Sequence, residues 1–322
     1  MPIVNKVERK VNMKVSNISF EKGIGFVLSM GLFVVASCQS ATKVEHHTPK
    51  DSFYYVSVPQ QQLSFFRKQP AVQFWQQVIL LTKDSAIVVH KDSRNMMDVI
   101  SAKKLDSLVN VSGLDEMAQC YRDTFGYETC ELVKFVRGKR EFFDFRKVGP
   151  LVDDAKLVFD EIGVNPIYAQ LILLIESPNN PKARSISGAV GHYQLMPFVA
   201  KKYGLVVTSG RDDRHDFKLS SMAAAKLMRD YCIPNASRMA VSAGLTSDVD
   251  QLWFQLLVMH VYNAGAGNVR KAVAAVGEVR SGEELIMKLW KTQAGAFGNS
   301  SQNYSQLALA SYINYLDWLT GE

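Results

Sequence analysis

Cysteine is scarce in this 322-residue chain: Cys38, Cys120, Cys130 and Cys232 are the full set. That excludes a small scaffold stapled by disulfides. Cys120 and Cys130 could close a short loop as a bridge or remain free thiols, and their separation does not decide between the two. The six histidines show no metal-ligand spacing with one another or with cysteine, so no metal and no cofactor is expected. Charge of one sign is also missing. The net +6 is small, and five basic against two acidic residues in the first 37 positions account for half of it. So mild an excess excludes nucleic acid as the partner. Several long apolar runs would mark a multi-span membrane protein, and they are absent. An apolar share of 47% excludes a wholly disordered chain. No repeat of 20–50 residues points to a solenoid.

What is present divides by texture. Residues 24–36 form one apolar run, flanked upstream by Lys6, Arg9, Lys10, Lys14 and Lys22. At thirteen residues it is short for a hydrocarbon span and suits the core of a secretory signal. It ends in Val35-Ala36-Ser37-Cys38, which resembles the bacterial lipoprotein box. The expectation is a signal peptide over 1–37, with Met13 as an alternative start, and lipidation of Cys38. Gln39 after the cysteine resembles outer-membrane sorting, so the chain is expected to be lipid-anchored in the cell envelope, facing the periplasm. Polar residues 38–52 read as a tether.

Residues 53–150 read as a small α+β domain of unknown role. Phe53–Val58 and Ala86–Val89 have strand character, and Lys134–Val136 with Phe142–Val148 reads as a hairpin around Gly138. From Leu151 to the end, at 322, the texture is helical. Leu151, Val152, Ala155, Val158, Phe159 and Ile162 keep a 3.6-residue stripe that Gly163 stops. Asn165-Pro166 opens the next helix, with Pro in the first turn. Further starts are read at Ser220/Ser221, at Ser247–Asp250 and at Ser281–Glu284, and a last helix from about Ser301 to Leu319. The fold class is mainly α: an all-α domain preceded by a small α+β domain.

Residues 166–175 are apolar on nearly every face, which marks a buried helix. It delivers Glu176 at its end. Burial and the negative end of the helix dipole both disfavour a charged carboxylate there. A carboxyl group so placed can hold its proton near neutral pH and act as a general acid, and the alternative reading of the helix end alone is a solvated carboxylate. The segment Ser177–Gly191 is a long Pro-, Asn-, Ser- and Gly-rich loop, a type that is usually functional in a compact domain. It leads into His192-Tyr193-Gln194-Leu195-Met196-Pro197, which combines an aromatic face, an amide and a flexible apolar chain. Such a mixture suits sugar recognition. Tyr262-Asn263-Ala264-Gly265 brings a second phenol and amide at the end of an apolar helix.

Glu176-Ser177, the spaced set Pro181, Ala183, Ser185, Gly188, Ala189, Gly191, Gln194, Met196, Pro197 and Ala200, and Tyr262-Asn263-Ala264-Gly265 resemble the lytic murein transglycosylases of the soluble-enzyme type. The likeness is greatest to the membrane-bound D-type branch, whose DxRxD segment resembles Arg211–Asp216 and whose terminal tyrosine motif resembles Gln302-Asn303-Tyr304. His192 departs from the apolar residue usual in that family, and Ser300-Ser301 from its Glu-Thr pair. The resemblance spans about residues 151–322 and implies a lysozyme-like catalytic domain. It implies an enzyme that cleaves peptidoglycan glycan strands without water, leaving 1,6-anhydro ends, with Glu176 as the catalytic residue. Ser177, Tyr193, Gln194, Met196, Tyr262, Asn263 and Tyr304 would bind substrate or orient Glu176. The rival expectations are a hydrolase of the same fold, resembling goose-type lysozyme, and a non-catalytic wall-binding lipoprotein. Asp212, Asp213 and Asp216 are expected to be an arginine-paired structural cluster rather than a second catalytic acid.

Overall fold

The strand β1 (Ser85–His90) is buried along almost its whole length, because it carries apolar side chains towards both of its faces. The computed structural model describes residues 53, 55–108, 111–138, 143–176, 180 and 182–321. The signal peptide, Cys38, the tether and Ser177 lie outside the described residues, as do Tyr54 and residues 139–142 of the expected hairpin. Before β1 come α1 (Gln60–Arg67) and α2 (Pro70–Leu80). After it come β2 (Met96–Ser101), α3 (Ala102–Ser107), α4 (Val111–Phe125) and β3 (Val133–Arg137). The three strands form one antiparallel sheet in the order β2-β1-β3. Ala86 and Val88 pack with Ile100 and Leu105 in a small outer core. Ile87 and Val89, pointing the other way, join the main core of the molecule. β1 is therefore the seam between a small α/β layer and a large helical body.

That body runs from α5 (Phe145–Ile162) through α6 (Ile167–Leu173), α7 (Pro197–Lys202), α8 (Phe217–Leu227), α9 (Ile233–Ser242), α10 (Leu252–Ala264), α11 (Ala266–Val276) and α12 (Gly282–Leu289) to α13 (Asn299–Thr320). The molecule is mainly helical with a small α+β region. A π-helical turn, Met228–Cys232, joins α8 to α9, and Pro234 lies in the first turn of α9. Among the described residues no helix is long and apolar enough to cross a membrane.

The elements at the centre are those with no polar face. Every residue of α6 is buried, as is Leu252–Val261 of α10, and α13 is buried along most of its length. α10 and α13 pack against each other, α6 lies on α5 and α13, and α2 runs along α13. Arg67 pairs with Asp317 at 2.6 Å, and the Asn314 amide donates to the Gln76 carbonyl at 3.0 Å. Residues 58–89 thus share the main core with residues 143–319. The change of texture at 150/151 falls inside α5, which continues through Pro150.

Several local expectations change. β3 pairs with β1, and residues 145–148 are the first turn of α5 rather than a returning strand. Phe53 and 55–58 form no strand. They lie as an extended strap in which the Val56 N–H donates to Gln170 Oε1 at 2.9 Å and Tyr312 donates to the Val56 carbonyl at 2.7 Å. α8 starts at Asp216, whose carboxylate caps the Leu219 N–H at 2.8 Å. Ser220 and Ser221 sit inside that helix and bond back to the carbonyls of Asp216 and Phe217. Gly163 ends α5 at φ 76°, and Ser281 caps α12 through the Glu284 N–H, both at the expected places.

Candidate active site

Asn165 Oδ1 accepts the Ile167 N–H at 3.0 Å and starts α6, and the Glu176 N–H closes its last turn on the Ile172 carbonyl at 2.9 Å. Seven consecutive buried residues hold this helix inside the body, so the only freedom left to Glu176 is its side chain. The residue is half-buried, and one carboxyl oxygen accepts a 2.7 Å hydrogen bond from the Tyr304 hydroxyl. Burial raises the Glu176 pKa above the usual carboxylate value, and the Tyr304 bond opposes that rise without cancelling it. Burial, and after it the charge of the same carboxylate, push the Tyr304 hydroxyl well above its usual range, so it remains a donor.

Tyr262, near the C-terminal end of α10, is held by a short bond from its hydroxyl to the Tyr193 carbonyl. Burial first, then the Glu176 charge, keeps that phenol protonated. Two phenols from α10 and α13 therefore border one acid delivered by α6. Cys232, buried in the π-helical turn, stands behind them with its thiol pushed up by burial.

The loop after Glu176 is more ordered than its composition suggests. Val190 and Leu195 exchange two backbone hydrogen bonds, at 3.2 and 3.1 Å, and the Gly191 N–H reaches the Ala183 carbonyl at 3.1 Å. Ser185 Oγ receives the Ala189 N–H at 2.9 Å. Gly188 and Gly191 have φ of 89° and 81°, and Gln194 takes φ 46°, uncommon for a residue with a side chain. Arg214 fastens this fold from below. Its Nη1 donates to the Gly188 and Leu195 carbonyls, both at 2.9 Å, while Nε and Nη2 grip Asp212 at 2.8 and 2.7 Å. Arg211 pairs with Asp213 at 2.7 Å, so Asp212 and Asp213 are arginine-paired as expected, whereas Asp216 is a helix cap. Among the described residues no group of His, Cys, Asp and Glu could hold a metal.

The remaining expected site residues fare differently. Gln194 is half-buried and spends its amide N–H groups on the Gly191 and Ala183 carbonyls, at 2.8 and 3.2 Å. Met196, at the start of α7, and Asn263 are half-buried. Tyr193 requires a correction. Its ring has no exposed surface; it stacks on Phe159 and its hydroxyl accepts the Ser221 hydroxyl at 3.0 Å, so no face is open to a sugar. Its contribution is the carbonyl that holds Tyr262. His192 is likewise buried, edge-on to Phe217, with its basicity reduced by burial. Arg214 as the clamp of the loop was not legible as such; its only signal was an arginine set among aspartates.

Comparison with known proteins gives three findings. The family model described as the Transglycosylase SLT domain matches residues 160–284. Proteins named membrane-bound lytic murein transglycosylase D, from two strains of Escherichia coli, are each 32% identical over 108 residues. That alignment takes in 34% of this chain and 20% of each relative, so the chain matches one fifth of their length. Among solved structures, an inactive mutant of the lytic transglycosylase Slt from Pseudomonas aeruginosa aligns with 82% of this chain and 38% of its own, at 15% identity and a TM-score of 0.37.

Proposed function

We propose, from the match of the Transglycosylase SLT domain model to residues 160–284, that the chain is a peptidoglycan lytic transglycosylase in which Glu176 acts first as acid and then as base. The observation that carries this reading is the Glu176 carboxyl, at the end of a buried helix, with burial raising its pKa and the Tyr304 hydroxyl fixing one oxygen at 2.7 Å. Glu176 gives its proton to the glycosidic oxygen between N-acetylmuramic acid and N-acetylglucosamine. The bond from that oxygen to the anomeric carbon breaks, and the acetamido carbonyl of the muramic acid steadies the positive carbon. Glu176, now a carboxylate, takes the proton of the C6 hydroxyl, whose oxygen closes on the anomeric carbon as a 1,6-anhydro ring. Proton and atoms balance without water.

One group serving both steps needs a pKa close to the working pH. The engagement of Asp212, Asp213 and Asp216 with arginines or a helix cap supports a single-acid scheme over the two-carboxylate scheme of most glycosidases. Gln194 Oε1, Met196 and Asn263 line the glycan path, Tyr262 and Tyr304 orient the acid, and Ser177 follows it directly in the chain. Lipidation of Cys38 behind the signal peptide, with residues 38–52 as tether, holds the enzyme in the envelope at the outer membrane. Digestion of purified peptidoglycan, with the fragments weighed, tests the reading. Anhydro-ended fragments from the native chain and none from a folded Glu176→Gln variant are expected. Fragments heavier by one water, or undiminished release by the variant, overturn it.

A further inference from the structure

The turn between β1 and β2 is fixed unusually well for a surface turn. The His90 N–H donates to the Asn95 carbonyl and the Arg94 N–H to the His90 carbonyl, each at 3.0 Å. His90 Nδ1 lies 2.7 Å from Ser93 Oγ, which also receives the Asn95 N–H at 3.2 Å. The His90 ring stacks flat on Tyr127 at 4.3 Å. These bonds hold Arg94 at φ 61°, in the left-handed region that a residue with a Cβ rarely adopts. The strained residue turns its side chain inward rather than into solvent. Its guanidinium lies over the Phe74 ring of α2, 5.1 Å from the centroid, and Nη2 donates to Asn303 Oδ1 at 3.1 Å. Among the described residues Arg94 forms no ion pair, and Asp92 of the same turn supplies the charge that supports it.

Asn303 is the residue before Tyr304. The helix that carries both begins at Gly298, which offers no side-chain cap, so its first turn relies on other groups. Asn303 Nδ2 donates to Asn299 Oδ1 at 3.0 Å, which closes a chain from the sheet turn across Arg94 and Asn303 to the first residue of α13. We propose that Arg94 is a positioning residue for the active site: it clamps the first turns of α13 through Asn303 and thereby sets the Tyr304 hydroxyl on the Glu176 carboxyl. The small α/β layer thus acquires a part in the chemistry although it contributes no atom to the cleft. The inference rests on the reading of Glu176 as the proton donor.

The groups that act on Glu176 are Tyr304 from α13 and Tyr262 from α10, and Cys232 of the π-helical turn acts on both phenols. The substitutions that test the proposal leave Tyr262 and Cys232 untouched. The Tyr304 bond favours the charged carboxylate, so loosening it moves the Glu176 pKa further up. The full chain is assayed on soluble wall-glycan fragments over a pH series as Arg94→Ala, Asn303→Ala, Tyr304→Phe and the double variant Arg94→Ala/Tyr304→Phe, with Glu176→Gln in parallel. Arg94→Ala and Asn303→Ala are expected to lower kcat/KM about three- to tenfold, on the scale of one weakened hydrogen bond. Both should also move the alkaline limb of the profile to higher pH. In the Tyr304→Phe background Arg94→Ala should add nothing to either effect. An unmoved limb, or losses that multiply in the double variant, overturns the proposal. So does a loss traced wholly to a smaller folded fraction in both single variants. Activity in Glu176→Gln equal to the native chain would instead remove the catalytic reading itself.

Discussion

Replacing Arg214 by methionine removes four hydrogen bonds, two to Asp212 and one each to the carbonyls of Gly188 and Leu195, and puts an apolar chain of similar reach in their place. The Arg214 side chain is 2% exposed and that of Asp212 14%, so the carboxylate left behind cannot simply be rehydrated in place. Breaking such a buried pair costs about 3–5 kcal/mol. The loop can avoid most of that cost by opening, because only Tyr193 and Leu195 of it belong to the main core. The damage should therefore be local. Amide hydrogen exchange of the full chain is the assay. A local penalty of about 3 kcal/mol accelerates exchange at Val190, Gly191 and Leu195 by roughly two orders of magnitude. Amides within α10 and α13 should keep their protection. Arg214→Lys, which retains charge but not the planar fork, should fall between the two. Unchanged protection in the loop would refute the clamp, and a uniform loss across the molecule would refute its local character.

Two further outcomes follow from buried groups away from the acid. His260 is fully buried with Nε2 on Ser305 Oγ at 2.9 Å, and burial lowers its pKa to about 4. The unfolded chain, with the ordinary value near 6.5, binds more protons between those limits. Stability should accordingly fall by up to about 3 kcal/mol as pH drops from about 6.5 to about 4, and His260→Gln should flatten that dependence in urea unfolding. Gly149 leaves no room for a Cβ, which would lie 2.6 Å from the Phe53 ring of the strap. Gly149→Ala should cost about 1–3 kcal/mol, seen as a lowered Tm, and Phe53→Ala in the same chain should recover part of it.

The acid and its helix were legible because their signal is local. A run of apolar residues with one carboxyl at its end marks a buried helix that delivers that carboxyl to its terminus. Ser281 before Glu284 and Gly163 after its apolar stripe were legible for the same reason. Partners distant in sequence were not. Alternation marked residues 134–136 as strand but carried no information on the pairing, which is with β1 and not with the segment that follows. Tyr193 looked like a recognition residue because an aromatic face beside an amide suits a sugar and the family resemblance pointed the same way. It is core because Arg214, nineteen positions after Leu195, folds the loop inward over Phe159 and Phe217. Arg94 meets Asn303 across 209 positions, and no spacing rule in a single sequence reaches that far.

The protonation of Glu176 is the point on which the mechanism turns. Side-chain carboxyl carbons of isotope-labelled glutamate can be followed by NMR through a pH titration of the folded chain, with Glu176→Gln identifying the resonance. The signal of Glu176 should titrate above the ordinary value near 4.3 and move higher still in Tyr304→Phe. A midpoint at or below that ordinary value, unaltered by the loss of the tyrosine hydroxyl, would contradict the account.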